Sequence, residues 1–396
     1  MDFALDDDAE ALRKRLRAFL ADHHPGKAPK DPEARKAWLR AWRHLLAERG
    51  YAGPAWPKAW GGMELSLSEQ VAYHEEMIRA NAPPAPGGLR IVGPTILRFG
   101  NSQQRERYLP PMVTGDEEWC LGYSEPGAGS DLPGLRTRAV RDGDEYVVNG
   151  QKVWTSHSWT SQMMAALVRT GTEEARQHGI TYLLIDMTTP GINIRPLKDM
   201  AGDVRFSEVF FDDVRVPAAN VVGAENEGWR VARTALGYER STANTSNDMR
   251  YRRILNELTA LTVERGRSAD PVIRQELARL EISMRLLNLN NLRILSAILG
   301  GGEPGPESSV TRLMHTLFEQ RLHEFAVDML GSNALLDGRD PLAAQRGRWA
   351  WGYLRTRGST IGAGTAEVQR NLIAERVLGL PYEPGMPAPA DVALAP

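Results

Sequence analysis

Glu145–Ser156 reads EYVVNGQKVWTS, and what this stretch forms decides the architecture. Tyr146, Val147, Val148, Val153 and Trp154 are β-branched or aromatic, types that suit a pleated, half-buried surface. Asn149-Gly150 stands between EYVV and QKVWT. A type I′ turn needs positive φ at both central residues, so the dipeptide predicts a hairpin centred there. Further short β-rich runs follow between turn residues: MMAALVRT (Met163–Thr170), ITYLLIDM (Ile180–Met187), INIRPL (Ile192–Leu197) and SEVFFDDVRVP (Ser207–Pro217). Several short strands at near-regular spacing predict a small β-barrel or sandwich over 119–225.

On both sides the texture becomes helical. Upstream, Leu12, Leu16, Phe19 and Leu20 repeat at helical spacing, and Ala37, Leu39, Trp42, Leu45 and Leu46 do so again. Pro and Gly clusters such as YAGPAWPKAWGG and NAPPAPGG punctuate them. Downstream, Gly228–Arg240, Ile254–Gly266, Ile273–Gly300 and Val310–Leu330 are all periodic and longer. The expected organisation is an α+β multidomain chain: a helical N-terminal domain over 1–118, the β domain, a helical bundle over 226–381, and a Pro/Ala-rich tail, 382–396, expected to be loose.

The totals narrow the function classes. A chain of 396 residues with 42% hydrophobic and 25% charged residues has the make-up of a soluble globular protein of two or three domains. A formal net charge of -2 predicts neither nucleic acid nor an anionic membrane as partner. The single cysteine, Cys120, excludes internal disulfides and a cysteine-rich zinc site. No second His stands at metal spacing from His157, so no metal is expected. MDFALDDDAE lacks the basic and apolar regions of a secretion signal, and no apolar run is long enough to span a bilayer, so a cytoplasmic protein is expected.

Four segments could carry chemistry. YSEPGAGSD (Tyr123–Asp131) is a Gly- and hydroxyl-rich loop: either a nest of backbone N–H groups for an anion or ring edge, or an ordinary loop. VWTSHS (Val153–Ser158) sets an indole beside hydroxyls: either a wall for a flat cofactor or plain core. In GWRVARTALGYERS, Trp229, Ala232, Ala235 and Leu236 share one helical stripe, and Glu239 falls on it. A carboxylate on an apolar face is costly unless it is paired or used. STIGAGTAEVQRN (Ser359–Asn371) reads as small residues and turns before a helix, yet Gly362-Ala363-Gly364 holds no group that can move a proton.

Together these segments resemble the acyl-CoA dehydrogenase family of flavoproteins over nearly the whole chain, Leu5 to Pro381. YSEPGAGSD is similar to that family's TEPxAGSD, VNGQKVWTS to its NGxKxWIT, the passage from Glu208 to Ala232 to its EVxFDxVxVP strand-to-helix stretch, and GTAEVQRNLIAERVLGLP to its GTxEIQR segment. The resemblance implies an N-terminal helical domain, a middle β domain and a C-terminal four-helix bundle. It implies FAD, and oxidation of an acyl-CoA or acyl-carrier thioester to the trans-2-enoyl thioester. In that chemistry a base takes the α proton and the β hydrogen leaves as hydride to flavin N5. An electron-transfer flavoprotein is the implied acceptor, and a homotetramer, homodimer or heterotetramer the implied assembly.

Residue by residue, the resemblance sets Tyr123 and Ser124 at the pyrimidine side of the flavin, with Gly129 and Ser130 toward the cofactor phosphates and the acyl-CoA. It puts Trp154 on the isoalloxazine, with Thr155 beside it and Ser156 reaching toward N5. Thr365 and Glu367 fall at the phosphate and adenosine part of FAD. Arg265 keeps the Arg of an RxxFG motif that meets FAD in a neighbouring subunit, although the aromatic is lost. Tyr238, Arg240, Ser130 and Gly364 fall on the substrate side. Many members place the catalytic Glu directly before the Gly-Thr of the C-terminal segment, where this chain has Ala363. Others place it in an LxxER context on the first helix of the bundle, where LGYER supplies Glu239. Glu239 is therefore the expected base, and Ala363 keeps a backbone N–H for the thioester carbonyl. Two rival readings remain: a silent subunit paired with an active homologue, separable by flavin colour, and an oxygen-using flavin oxidase or monooxygenase, separable by peroxide release.

Overall fold

The computed structural model describes residues 5–239, 247–300, 305–336 and 338–381. The tail expected at 382–396 lies outside the described residues. Contacts divide the chain into two compact units that part between Arg250 and Tyr251.

The first unit opens with helices α1 (Asp7–His23), α2 (Pro32–Glu48), α3 (Leu67–Arg79), α4 (Gly93–Phe99) and α5 (Ser102–Thr114). Side chains cap the first turns of α1, α2, α3 and α5. Asp6 caps α1, and α3 and α5 carry reciprocal capping boxes, Ser66 with Glu69 and Asn101 with Gln104. The stripe Leu12, Leu16, Phe19 and Leu20 packs with Trp42, Leu46, Tyr73 and Met77. Buried Glu76 on α3 receives Arg17 from α1 in a two-pronged contact, Nε at 3.0 Å and Nη2 at 2.8 Å.

The middle region is a half-barrel, one seven-stranded sheet: β1 (Trp119–Gly122), β2 (Arg138–Asp142), β3 (Glu145–Ser156), β4 (Met163–Arg169), β5 (Ile180–Asp186), β6 (Ile192–Lys198) and β7 (Val204–Pro217). Its path runs β1-β4-β2-β3-β7-β6, and β5 pairs with β4. All of β4 is buried, and β5 as far as Ile185, so both read as continuous apolar runs rather than as alternation.

The expected hairpin at Asn149-Gly150 does not form. Glu145–Ser156 is one strand, and its register against β7 shifts between Val148 and Gly150, which marks a bulge. Asn149 spends its amide on β7: its Nδ2 donates to Asp213 Oδ1 at 2.9 Å, and its Oδ1 accepts from the Asp213 N–H at 2.9 Å. Gly150 is needed for close approach, because a Cβ there would meet the Thr137 Cα at 2.7 Å. The tight turn lies earlier, where Asp142 pairs with Glu145 across Gly143-Asp144, with Gly143 at φ +60°.

After β7 the chain enters α6 (Gly228–Glu239). Val231, Ala232 and Ala235 are fully buried, and Trp229 and Leu236 pack on the cluster of Tyr182, Leu184 and Ile96. Gly228 sets this helix hard against β5: an added Cβ would lie 2.4 Å from the Thr181 carbonyl carbon and 2.5 Å from the Tyr182 nitrogen, both backbone. Neither can yield without moving a strand. Gly228→Ala is thus expected to lower unfolding free energy by about 1–3 kcal/mol, the usual cost of overpacking, read in denaturant titrations.

The second unit holds most of α7 (Asn247–Glu264), then α8 (Pro271–Leu299), α9 (Ser308–Leu330), α10 (Arg348–Thr356) and α11 (Ala366–Leu372). Its core joins Leu255, Leu258, Leu280, Met284, Phe318, Leu322, Phe325 and Trp349. Spacings of three, four and seven residues along α7, α8 and α9 put these side chains on the facing stripes of a helical bundle.

Candidate active site

The Tyr123–Asp131 loop leaves β1 and is tied to β3 at adjacent positions. The Val153 N–H donates to the Ser124 carbonyl at 2.9 Å. Lys152 Nζ, with no exposed side-chain surface, donates to Glu125 Oε1 at 2.7 Å and to the Tyr123 carbonyl at 3.1 Å. Glu125 also accepts the Arg136 and Thr137 N–H groups at 2.7 and 2.9 Å, closing the loop on its own exit. Burial pulls the Glu125 carboxyl upward, but the Lys152 charge and these donors outweigh it and hold the group below its ordinary range. Burial pushes the Lys152 ammonium down to about 8, against the pull of Glu125 and with help from the Arg169 charge. Arg169 staples the far end of the loop by donating to the Pro133 and Leu135 carbonyls at 2.6 and 3.2 Å.

Between these ties the loop stays open outward. Pro126, Gly127, Gly129 and Ser130 are exposed, and nothing lies within 4 Å of a Cβ built at Gly127 or Gly129. Among the described residues the Gly129 and Ser130 N–H groups have no acceptor. Tyr123 turns inward: it is buried, and its hydroxyl donates to the Tyr182 hydroxyl at 3.1 Å, so only its backbone stands at the loop. Ser124 is half-buried.

Directly after the ties, a second register shift between Lys152 and Thr155 turns Trp154 out of the sheet at φ +60°. The residue is 61% exposed, and its ring meets Phe206 edge to face, centroids 5.7 Å apart at 84°. A large aromatic held at a left-handed backbone angle beside an open loop is costly unless the face is used. Ser156 is exposed, whereas Thr155, Ser158 and Ser207 are buried with hydroxyls that find no partner among the described residues. An exposed indole face beside the free Gly129 and Ser130 N–H groups suits a flat ring with a polar rim.

α6 carries the stripe on which Glu239 falls; on it Ala232 and Ala235 are fully buried and Trp229 and Leu236 partly so. The side chains of Tyr238 and Glu239, and all of Arg240, lie outside the described residues.

In the second unit, α9 pins the Ser359–Gly364 turn. Arg312 Nη2 donates to the Ser359 and Gly362 carbonyls at 3.1 and 2.7 Å, and Ser359 Oγ donates to Glu319 at 2.7 Å. Ala363 and Gly364 both have positive φ, +54° and +90°. The Ala363 N–H has no acceptor among the described residues. Thr365 caps α11, its Oγ1 accepting the Val368 N–H at 3.2 Å, so its hydroxyl already has a structural task. Glu367 is exposed and pairs with Arg370 at 3.3 Å, and Arg265 is exposed just past the end of α7. A left-handed alanine costs about 1–2 kcal/mol, less the added unfolded-state freedom of glycine. Ala363→Gly is therefore expected to raise unfolding free energy by about 0.5–1 kcal/mol, measurable by thermal or denaturant unfolding.

Three family models match consecutive stretches: the acyl-CoA dehydrogenase N-terminal domain over residues 6–116, the middle domain over 120–214 and the C-terminal domain over 226–378. The chain belongs to the acyl-CoA dehydrogenase family. Acyl-CoA dehydrogenase IpdE1 of Mycobacterium tuberculosis is 39% identical over 392 residues, which cover 95% of this chain and 99% of the relative. Among solved structures, the ChsE4-ChsE5 complex from Mycobacterium tuberculosis has a chain that superposes with a TM-score of 0.80 at 34% identity, covering 97% of this chain and 100% of that one. The Tcur3481-Tcur3483 steroid ACAD gives a TM-score of 0.84 at 29% identity, with 97% and 100% covered. Among the described residues no helix is long and apolar enough to cross a membrane.

For this acyl-CoA dehydrogenase family member, sequence reasoning missed the Glu125–Lys152 pair and Arg169. A signal for the pair was present: Lys152 keeps the inward parity of Tyr146 and Val148, and an inward ammonium needs a carboxylate.

Proposed function

We propose that the chain binds FAD and removes the α and β hydrogens of an acyl-CoA thioester to give the trans-2-enoyl-CoA. The observation that carries the reading is Trp154, turned out of the sheet beside a loop tied down at Ser124 and Glu125. In this reading Trp154 packs against the flavin ring, Ser124 and Ser156 bond its rim, and the Gly129 and Ser130 N–H groups meet phosphate oxygens. FAD held there would supply the hydride acceptor for the β hydrogen. Glu239 takes the α proton. That proton is too weakly acidic for a carboxylate in water, so charge developing on the thioester oxygen must be met by fixed donors, and the Ala363 N–H is offered as one. Thr365, Glu367 and Arg265 stand at the adenosine end, and Tyr238, Arg240 and Gly364 on the substrate side.

The reading is tested by purifying the protein with its flavin and incubating it with acyl-CoAs and an artificial electron acceptor. A product two hydrogens lighter is expected by mass spectrometry. The same product formed in air without the acceptor, with one peroxide released per acyl-CoA oxidised, would favour an oxidase, and substrate returned unchanged would contradict the reading.

A second reading is favoured by the comparisons: ChsE4-ChsE5 and Tcur3481-Tcur3483 are each named as pairs, the latter as a steroid enzyme. We infer that this chain works beside a homologous partner on a bulky, steroid-derived acyl group. Co-purification with a homologous chain, and activity only in its presence, would bear this out.

A further inference from the structure

Resting on the proposed flavin site, we propose that the Glu125–Lys152 pair is a positioning device for the cofactor, fixing the Tyr123–Asp131 loop against the strand that carries Trp154. The two residues are 27 positions apart and belong to the two segments that would face the ring from different sides. Lys152 has no exposed surface, so its ammonium does not meet solvent or ligand; what it does is hold the Tyr123 carbonyl and the Glu125 carboxylate in one place. Glu125 in turn fixes both ends of its loop, through the Arg136 and Thr137 N–H groups and through mutual backbone bonds with Ala128 at 3.0 Å. The exposed Gly129 and Ser130 follow immediately, with the outward Trp154 two residues beyond Lys152. A loop rich in glycine would otherwise sample many conformers, and ordering it on binding would weaken affinity. The pair spends its charge in advance so that the N–H groups and the indole face stand ready.

A purely structural pair and a positioning pair differ in one respect. Replacing both members by uncharged residues of similar shape removes the buried charges, so stability should return. The tie between loop and strand does not return with it. The test is FAD titration of the apo-protein, followed by flavin fluorescence, alongside thermal unfolding, for wild type, Glu125→Gln/Lys152→Met and Glu125→Asp. The double variant is expected to melt near wild type yet bind FAD at least about tenfold more weakly, the scale expected from lost preorganisation. Glu125→Asp keeps both charges but shortens the reach, and is expected to weaken FAD binding in the same direction. If it alone folds, its titration decides the matter. Variants that bind FAD as tightly as wild type, whatever their melting temperature, overturn the positioning role alone. A wild type that binds no FAD overturns the proposed function, and this inference with it.

Discussion

Glu239→Gln is expected to leave FAD bound and to slow bleaching of the flavin by acyl-CoA by about 100- to 10,000-fold, the usual worth of a positioned general base. The amide has nearly the shape of the carboxylate, so the helix and its buried stripe of Val231, Ala232 and Ala235 should be undisturbed. The only change is loss of a proton acceptor. The assignment follows from two halves of the chain. The C-terminal turn holds Ala363 where many family members have the base, leaving that turn with backbone groups alone. α6 ends its apolar stripe on a carboxylate. Stopped-flow absorbance under anaerobic conditions reads the rate directly. Bleaching within a few-fold of wild type would remove Glu239 from the mechanism.

Lys152→Met is expected to cost about 3–5 kcal/mol of unfolding free energy, because it strands the Glu125 carboxylate in a dry site. Methionine fills the lysine stem's volume, so the loss is of charge and hydrogen bonds rather than packing. The pH dependence gives a second reading. The folded ammonium titrates near 8 against an ordinary 10.5, so between those values the unfolded chain holds the extra proton. More protons on the unfolded state make stability rise with pH. Wild-type stability should thus carry a component that grows from about pH 8 to 10.5 and levels off below, and Lys152→Met should lack it. Denaturant midpoints at a series of pH values measure both effects.

How far the sequence was legible follows physical scale. Local signals were faithful: the Leu12, Leu16, Phe19 and Leu20 stripe lies in one helix, and the β-rich run from Ile180 forms a strand buried as far as Ile185. Asn149-Gly150 misled because a dipeptide with strong turn preference was overruled by Asp213 and Thr137, which lie far off in sequence but adjacent in the sheet. β1, at four residues, was too short to show a period. Gly228 and the small Ala232 and Ala235 seat α6 on β5, a contact that no local pattern encodes. At the candidate site Trp154 is exposed and the Gly129–Ser130 turn is open. Tyr123 contributes backbone only, and Thr365 is occupied as a helix cap.

The central claim is that one chain unites a flavin face and a base for an acyl thioester. Anaerobic mixing of the purified FAD-loaded protein with acyl-CoAs, from short branched chains to steroid side chains, tests it most directly. Loss of the flavin's visible absorbance with at least one of them, matched by enoyl-CoA in equal amount, is the predicted result. A protein that carries FAD, alone and with a homologous partner, yet keeps its full colour with every thioester would contradict it.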